Sequence, residues 1–253
     1  MKYVLITGGS SGIGFALARK FAADHYGIVL AASNQEKLAE AKEKLEQEFQ
    51  TEVNIYQQNL AQLGAAEQLY NAIRSDGIEI AVLVNNAGCG VIGAAEEIPM
   101  EKEEEMLLLN MVTPVELTKL YLKDMYQAKS GAVLNISSTG AFQPGPYTAS
   151  YYASKEFLFS YSQAVRFEAA KHGVKVCTVC PGTTDTGFFE RAGSKTPANA
   201  MSPEKVAAYA YKRFNKNKAV SIPGVSFRLM KLCPVRIKTW VIAKVKAKKE
   251  KEK

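Results

Sequence analysis

Six short apolar runs rich in β-branched residues recur along the chain, at residues 3–6, 28–31, 53–56, 80–84, 132–136 and 174–179. Between them lie stretches whose apolar residues fall at helical spacing: 13–23, 35–48, 65–74, 101–126 with an interruption expected near Pro114, 151–171 and 203–214. The runs read as largely apolar stretches rather than alternating ones, which is the pattern of strands covered on both faces. Repeated strand–helix alternation of this kind favours a parallel sheet with helices on both sides, joined by right-handed crossovers. The expected fold class is therefore α/β, a three-layer Rossmann-like doubly wound parallel sheet in a single domain. Residues 219–222 offer a seventh, peripheral strand. In such folds ligands bind beyond the carboxyl ends of the strands.

A chain of 253 residues suits one such domain. We place it at 1–225 and read 226–253 as a basic helical extension. That extension holds ten Lys or Arg against Glu250 and Glu252, or +8, so the formal charge of +7 leaves the rest of the chain at −1. A near-neutral body argues against nucleic acid as a partner. The apolar stretch at 1–6 is too short for a signal-peptide core, and no apolar run is long enough to span a bilayer, so a cytoplasmic protein is expected. Cys177 and Cys180 form a C-x-x-C within a strand, where residues three apart face opposite ways, so they read as buried structural thiols. His25 and His172 lack ligand-like neighbours, and no metal site is expected.

The first run ends in Thr7-Gly8-Gly9-Ser10-Ser11-Gly12-Ile13-Gly14, directly before a helix. Gly8 permits a tight turn, Gly12 lets backbone approach a pyrophosphate, and Gly14 lets helix and strand pack closely. The helix start then offers unpaired N–H groups to phosphate, with Ser10, Ser11 and Ile13 beside it. The second run ends in Ala31-Ala32-Ser33-Asn34, without the carboxylate that grips the ribose of NAD and without an Arg for a 2′-phosphate. Losing the acid removes a repulsive neighbour, and Ser33 and Asn34 can hydrogen-bond a phosphate. NADP is favoured over NAD.

Five motifs follow one another in order: 7–14, Asn85-Asn86-Ala87-Gly88, Asn110, Ser138 with Tyr151-x-x-x-Lys155, and Pro181-Gly182 followed by Thr186. Over residues 1–222 the chain resembles the short-chain dehydrogenase/reductase family. The resemblance implies that Asn86, Ala87 and Gly88 line the adenosine side and that Pro181, Gly182 and Thr186 contact the nicotinamide. Asn59, next to Leu60, stands where the family usually has an adenine-contacting Asp. It also implies a catalytic set of Asn110, Ser138, Tyr151 and Lys155 that interconverts a carbonyl and an alcohol. Tyr151 rather than Tyr152 shares a helix face with Lys155, and Ser138 is preferred to Ser137 by its place in the family's serine pair. In this scheme Lys155 lowers the phenol pKa and holds the nicotinamide ribose, Ser138 stabilises the oxyanion, and Asn110 holds a water that links Lys155 to solvent.

Residues 141–147, Phe142 and 89–93 are expected to wall an apolar substrate pocket. Residues 186–201, with Phe188 and Phe189, read as a mobile lid, and the two rings could equally pack at a subunit contact. The substrate is then a hydrophobic ketone or aldehyde. Family members are often dimers or tetramers, and a homo-oligomer is expected. In the tail, Leu229 and Leu232 precede Pro234, and Ile237, Trp240, Val241 and Val245 recur at helical spacing among lysines. Two readings stay open: a helix packed on its own domain with a solvated end at 248–253, or peripheral contact with an anionic membrane. The rival functions are a cofactor-binding regulator without catalysis and a membrane-surface protein acting through the tail. A nucleotide-sugar epimerase or dehydratase of the extended type is disfavoured by the glycine spacing.

Overall fold

The computed structural model describes residues 1–230 and 233–250, without the side chains of 229, 230 and 245–250. The tail side chains of Leu229, Leu232, Val245 and 248–253 therefore lie outside the described residues. The strands are β1 (Tyr3–Thr7), β2 (Gly27–Ala32), β3 (Val53–Gln57), β4 (Ile80–Asn85), β5 (Ala132–Ile136), β6 (Lys175–Val179) and β7 (Val220–Ser221). The helices are α1 (Gly12–Ala23), α2 (Gln35–Phe49), α3 (Ala65–Ser75), α4 (Met100–Leu107), α5 (Thr113–Gln127), α6 (Ala149–Ala170), α7 (Phe188–Arg191), α8 (Pro203–Asn215), α9 (Val225–Met230) and α10 (Val235–Glu250).

All seven strands join one parallel sheet in the order β3-β2-β1-β4-β5-β6-β7. Chain order reverses beside β1, and that reversal opens a crevice at the carboxyl ends of β1 and β4. Successive side chains on β1 go to opposite faces. Val4 and Ile6 pack with Leu17 and Phe21 of α1, Leu38 of α2 and Phe214 of α8. Leu5 packs with Leu69 and Ile73 of α3, Leu117 of α5 and Val165 of α6. Each such fully buried side chain contributes roughly 1.5–3 kcal/mol. The two cores make three layers, and β5 is buried at every position, Asn135 included.

A buried polar chain crosses the middle of the sheet. Asn85 Nδ2 donates to Thr118 Oγ1 (3.1 Å) and to Asn135 Oδ1 (2.8 Å), and Asn135 Nδ2 donates to Ser162 Oγ (2.8 Å). It ties α5, β4, β5 and α6 together beneath the crevice, so the loops above them start from fixed points.

The helical region at 101–126 is interrupted earlier than expected. A π-helical turn occupies Leu108–Val112, where Thr113 N–H reaches back to the Leu108 carbonyl. Pro114 instead sits in the first turn of α5, where a missing N–H is tolerated. Cys177 and Cys180 are buried, and neither forms a disulfide among the described residues. Among the described residues no group of side chains could hold a metal ion, and no helix is long and apolar enough to cross a membrane.

Candidate active site

The carboxyl ends of the strands open into one cleft of about 820 Å³. The glycine-rich turn forms its floor. Gly8 and Gly12 take left-handed backbone (φ 63° and 55°), which side chains disfavour. A methyl group on Gly12 would stand 2.9 Å from Cβ of Thr186, which crosses above the turn. A methyl group on Gly14 would collide with the Gly8 carbonyl and Asn86 Nδ2, so Gly14 stands behind the cleft wall and sets helix packing. The turn is braced from β4: Thr7 Oγ1 accepts from Asn86 N and Ala87 N (3.0 Å each), and Asn86 Nδ2 donates to the carbonyls of Thr7 (2.9 Å) and Gly8 (3.1 Å). Gly8, Ser10, Ser11, Gly12 and Ile13 line the cleft, as do Asn86, Ala87 and Gly88. A backbone cradle without side chains at the start of α1 fits a pyrophosphate.

Ser33, Asn34, Asn59 and Leu60 line the far end of the cleft. Asn34 is committed as the N-cap of α2, its Oδ1 accepting from Lys37 N at 2.8 Å. The cap brings Lys37 into the lining one helical turn on. Lys37 was absent from the sequence reading, although an Asn cap followed three residues later by Lys was there to be seen. It places a cation at this end of the cleft.

At the other end stand Ser138, Tyr151 and Lys155, with Pro181, Gly182 and Thr186 opposite. Tyr151 and Lys155 lie in the first turns of α6, and Lys155 Nζ is 5.9 Å from the Tyr151 ring centre. The ammonium, 5% exposed, donates to the Ile136 carbonyl at 3.3 Å. Ser138 Oγ accepts from Gly140 N at 3.0 Å, which leaves its proton for the Tyr151 phenol. Ser137 Oγ instead donates to the Lys155 carbonyl at 2.7 Å, so the two serines divide between the cleft and the support of α6. Tyr152 also reaches the cleft, its ring packed over Gly145 and Gly140.

Burial dominates the titration of both groups. It raises Tyr151 to about 12, with the Ser138 hydrogen bond opposing, and it lowers Lys155 to about 8. The phenol is therefore raised rather than lowered, and the opposing contribution comes from Ser138 rather than from Lys155. Asn110, 1% exposed in the π turn, does not line the cleft. Its Oδ1 accepts from Cys89 N (3.1 Å), and its Nδ2 donates to the Cys89 carbonyl (2.9 Å) and to Ser154 Oγ (3.1 Å). Both amide protons are thus committed to bracing the Cys89 backbone and α6.

The wall beside Tyr151 is apolar. Cys89, Gly90, Val91 and Ile92 form one side, Leu109 and Tyr147 another. Phe188 lies over Tyr151 with ring centres 5.3 Å apart, and Phe189 meets Phe188 edge-on. The 186–201 loop thus carries a short helix, α7, and its base is pinned where Asp185 N donates to the Met201 carbonyl and Met201 N to that of Thr183 (2.9 Å each). Of the 141–147 wall, Tyr147 reaches the cleft but Phe142 does not, because it packs edge-on against Phe159. Val241 and Ile242 of α10 complete the lining. That helix is seated by Lys238, 6% exposed, whose Nζ donates to the Phe142 carbonyl at 2.7 Å.

Residues 2–197 match the family of the short chain dehydrogenase. The chain belongs to that family. Membership makes it an oxidoreductase that moves hydride between a nicotinamide nucleotide and a carbonyl–alcohol pair. A family relative, the 7beta-hydroxysteroid dehydrogenase of Collinsella aerofaciens, is 27% identical over 222 residues, covering 85% of this chain and 84% of its own. A short-chain dehydrogenase from Sphingobium yanoikuyae, solved in complex with NADPH, superposes with a TM-score of 0.85 at 29% identity over 92% of each chain. The bulky-bulky ketone specific alcohol dehydrogenase from Comamonas testosteroni superposes at 0.81 with 27% identity, over 92% of this chain and 90% of its own.

Proposed function

We propose that this dehydrogenase uses NADPH to reduce bulky apolar ketones or aldehydes, with Tyr151 as proton donor. The observation that carries the reading is a cleft with a half-buried phenol and hydroxyl beside a buried ammonium at one end and Lys37 at the other. When bound, a reduced nicotinamide supplies the hydride. Tyr151 holds the proton that the substrate oxygen takes. Ser138, its hydroxyl oriented by Gly140 N–H, donates to that oxygen as negative charge develops. Lys155 keeps a positive charge against the phenol, and Asn110 is a positioning residue that fixes Cys89 and Ser154. Val91, Ile92, Phe188 and Ile242 would exclude water around the reacting carbonyl.

The cofactor preference rests on Lys37 together with Ser33, a cation and a hydroxyl suited to a 2′-phosphate. Titration of the purified protein should give tighter binding of NADPH than of NADH. Lys37→Ala should weaken NADPH by about tenfold and leave NADH nearly unchanged. Equal affinities in the wild type would overturn the preference. NADPH oxidation across a panel of ketones should then favour large apolar ones over small polar ones. The proposal has the enzyme working in the cytoplasm as a dimer or tetramer, with exposed Phe157 and Phe167 on α6 as apolar contact surface.

A further inference from the structure

Helix α10 has two faces with different duties. Its inner face seats Lys238 on the Phe142 carbonyl and brings Val241 and Ile242 to the cleft. Its outer face carries Ile237, Trp240, Val241 and Lys244, at i, i+3, i+4 and i+7. There Ile237, Trp240 and Val241 are 53%, 59% and 45% exposed, and Lys244 Nζ lies 3.9 Å from the Trp240 ring centre. Val241 belongs to both faces, so the exposed stripe runs directly into the mouth of the cleft.

The sequence of this segment is one-sided in charge. Residues 226–253 hold ten Lys or Arg against two Glu, while the remainder of the chain sums to −1. An exposed Trp between apolar and basic neighbours suits the boundary between lipid tails and headgroups. We propose that the outer face of α10 docks on an anionic lipid surface, and that the cleft mouth beside it takes a carbonyl substrate dissolved in the bilayer. Acidic headgroups would meet the lysines, Ile237 and Trp240 would enter the interface, and Val241 would lie where substrate leaves lipid for protein. The substrate part of this inference rests on the carbonyl-reductase reading, whereas the docking does not.

The test uses the full chain and vesicles of phosphatidylcholine with or without phosphatidylserine. Co-sedimentation should be strong with phosphatidylserine, weak without it, and reduced by added salt. The double variant Ile237→Ser/Trp240→Ser changes residues outside the cleft lining, so NADPH binding and reduction of a water-soluble ketone should be unchanged. Its affinity for the acidic vesicles should fall by about tenfold or more. Reduction of a long-chain ketone held in those vesicles should fall with it. Equal sedimentation with both vesicle types, or binding kept in full by the double variant, would overturn the docking. So would a dimer in light scattering that the double variant abolishes without any vesicle binding, because the stripe would then be covered by a second copy. Vesicle binding without any NADPH-dependent ketone reduction would keep the docking and defeat the enzymatic reading instead.

Discussion

Lys155 is the most expensive side chain in the site. Its ammonium is 5% exposed and donates to the Ile136 backbone carbonyl, and burial lowers its pKa to about 8. The unfolded chain, with a lysine pKa of about 10.4, binds the extra proton between those two values. Stability should therefore rise as pH increases from about 8 to about 10.4, and the full cost of the buried charge is present below about 8. Lys155→Met should abolish activity yet stabilise the fold by about 1–3 kcal/mol at neutral pH, as read by denaturant unfolding. A destabilised variant would mean that the ammonium is solvated in a way its burial denies. Ketone reduction should also decline as pH rises through about 8 and Lys155 loses its charge, whereas Tyr151, raised to about 12, stays protonated throughout. The choice of Tyr151 over Tyr152 was legible because only Tyr151 stands four residues before the lysine. Lys37 and Phe142 were not, since the first depends on where a helix cap sends the chain and the second on a ring partner seventeen residues along, Phe159.

Elements buried on two faces announce themselves, and those that close the site do not. The central strands follow their apolar runs because nearly all of their positions are dehydrated. The four-residue helix α7 has no buried residue and hence no periodic signature. In α10 the pattern of Ile237, Trp240 and Val241 left packing and membrane contact both open, and the structure turns Val241 to the cleft and seats Lys238 on the Phe142 carbonyl. Replacing residues 188–193 by a short Gly/Ser linker spares Thr186 and the clamp at Met201. It should raise KM for an apolar ketone by about tenfold with little change in NADPH affinity. Unchanged ketone kinetics would remove the lid from the substrate site. Gly12→Ala should do the converse, weakening NADPH by at least about tenfold, because a methyl group meets strained backbone and Thr186 together.

Considered together, the layers explain why a near-neutral α/β body presents one polar-to-apolar cleft. The reversal of strand order beside β1 opens the crevice, the Asn85–Asn135 chain fixes the strands beneath it, and the parallel strands deliver the loops that follow them to the same edge. That architecture was readable from the chain, because strand–helix alternation leaves few alternatives. The position of the tail was not, because a basic helix is equally compatible with solvent, lipid or its own domain. The most direct experiment compares the wild type with Tyr151→Phe, measuring NADPH binding and NADPH oxidation by a bulky ketone on the same preparations. The variant should bind NADPH as the wild type does and lose turnover by about 10²–10⁴-fold. Turnover that survives the loss of the phenol, or a wild type that binds no NADPH, would contradict the account.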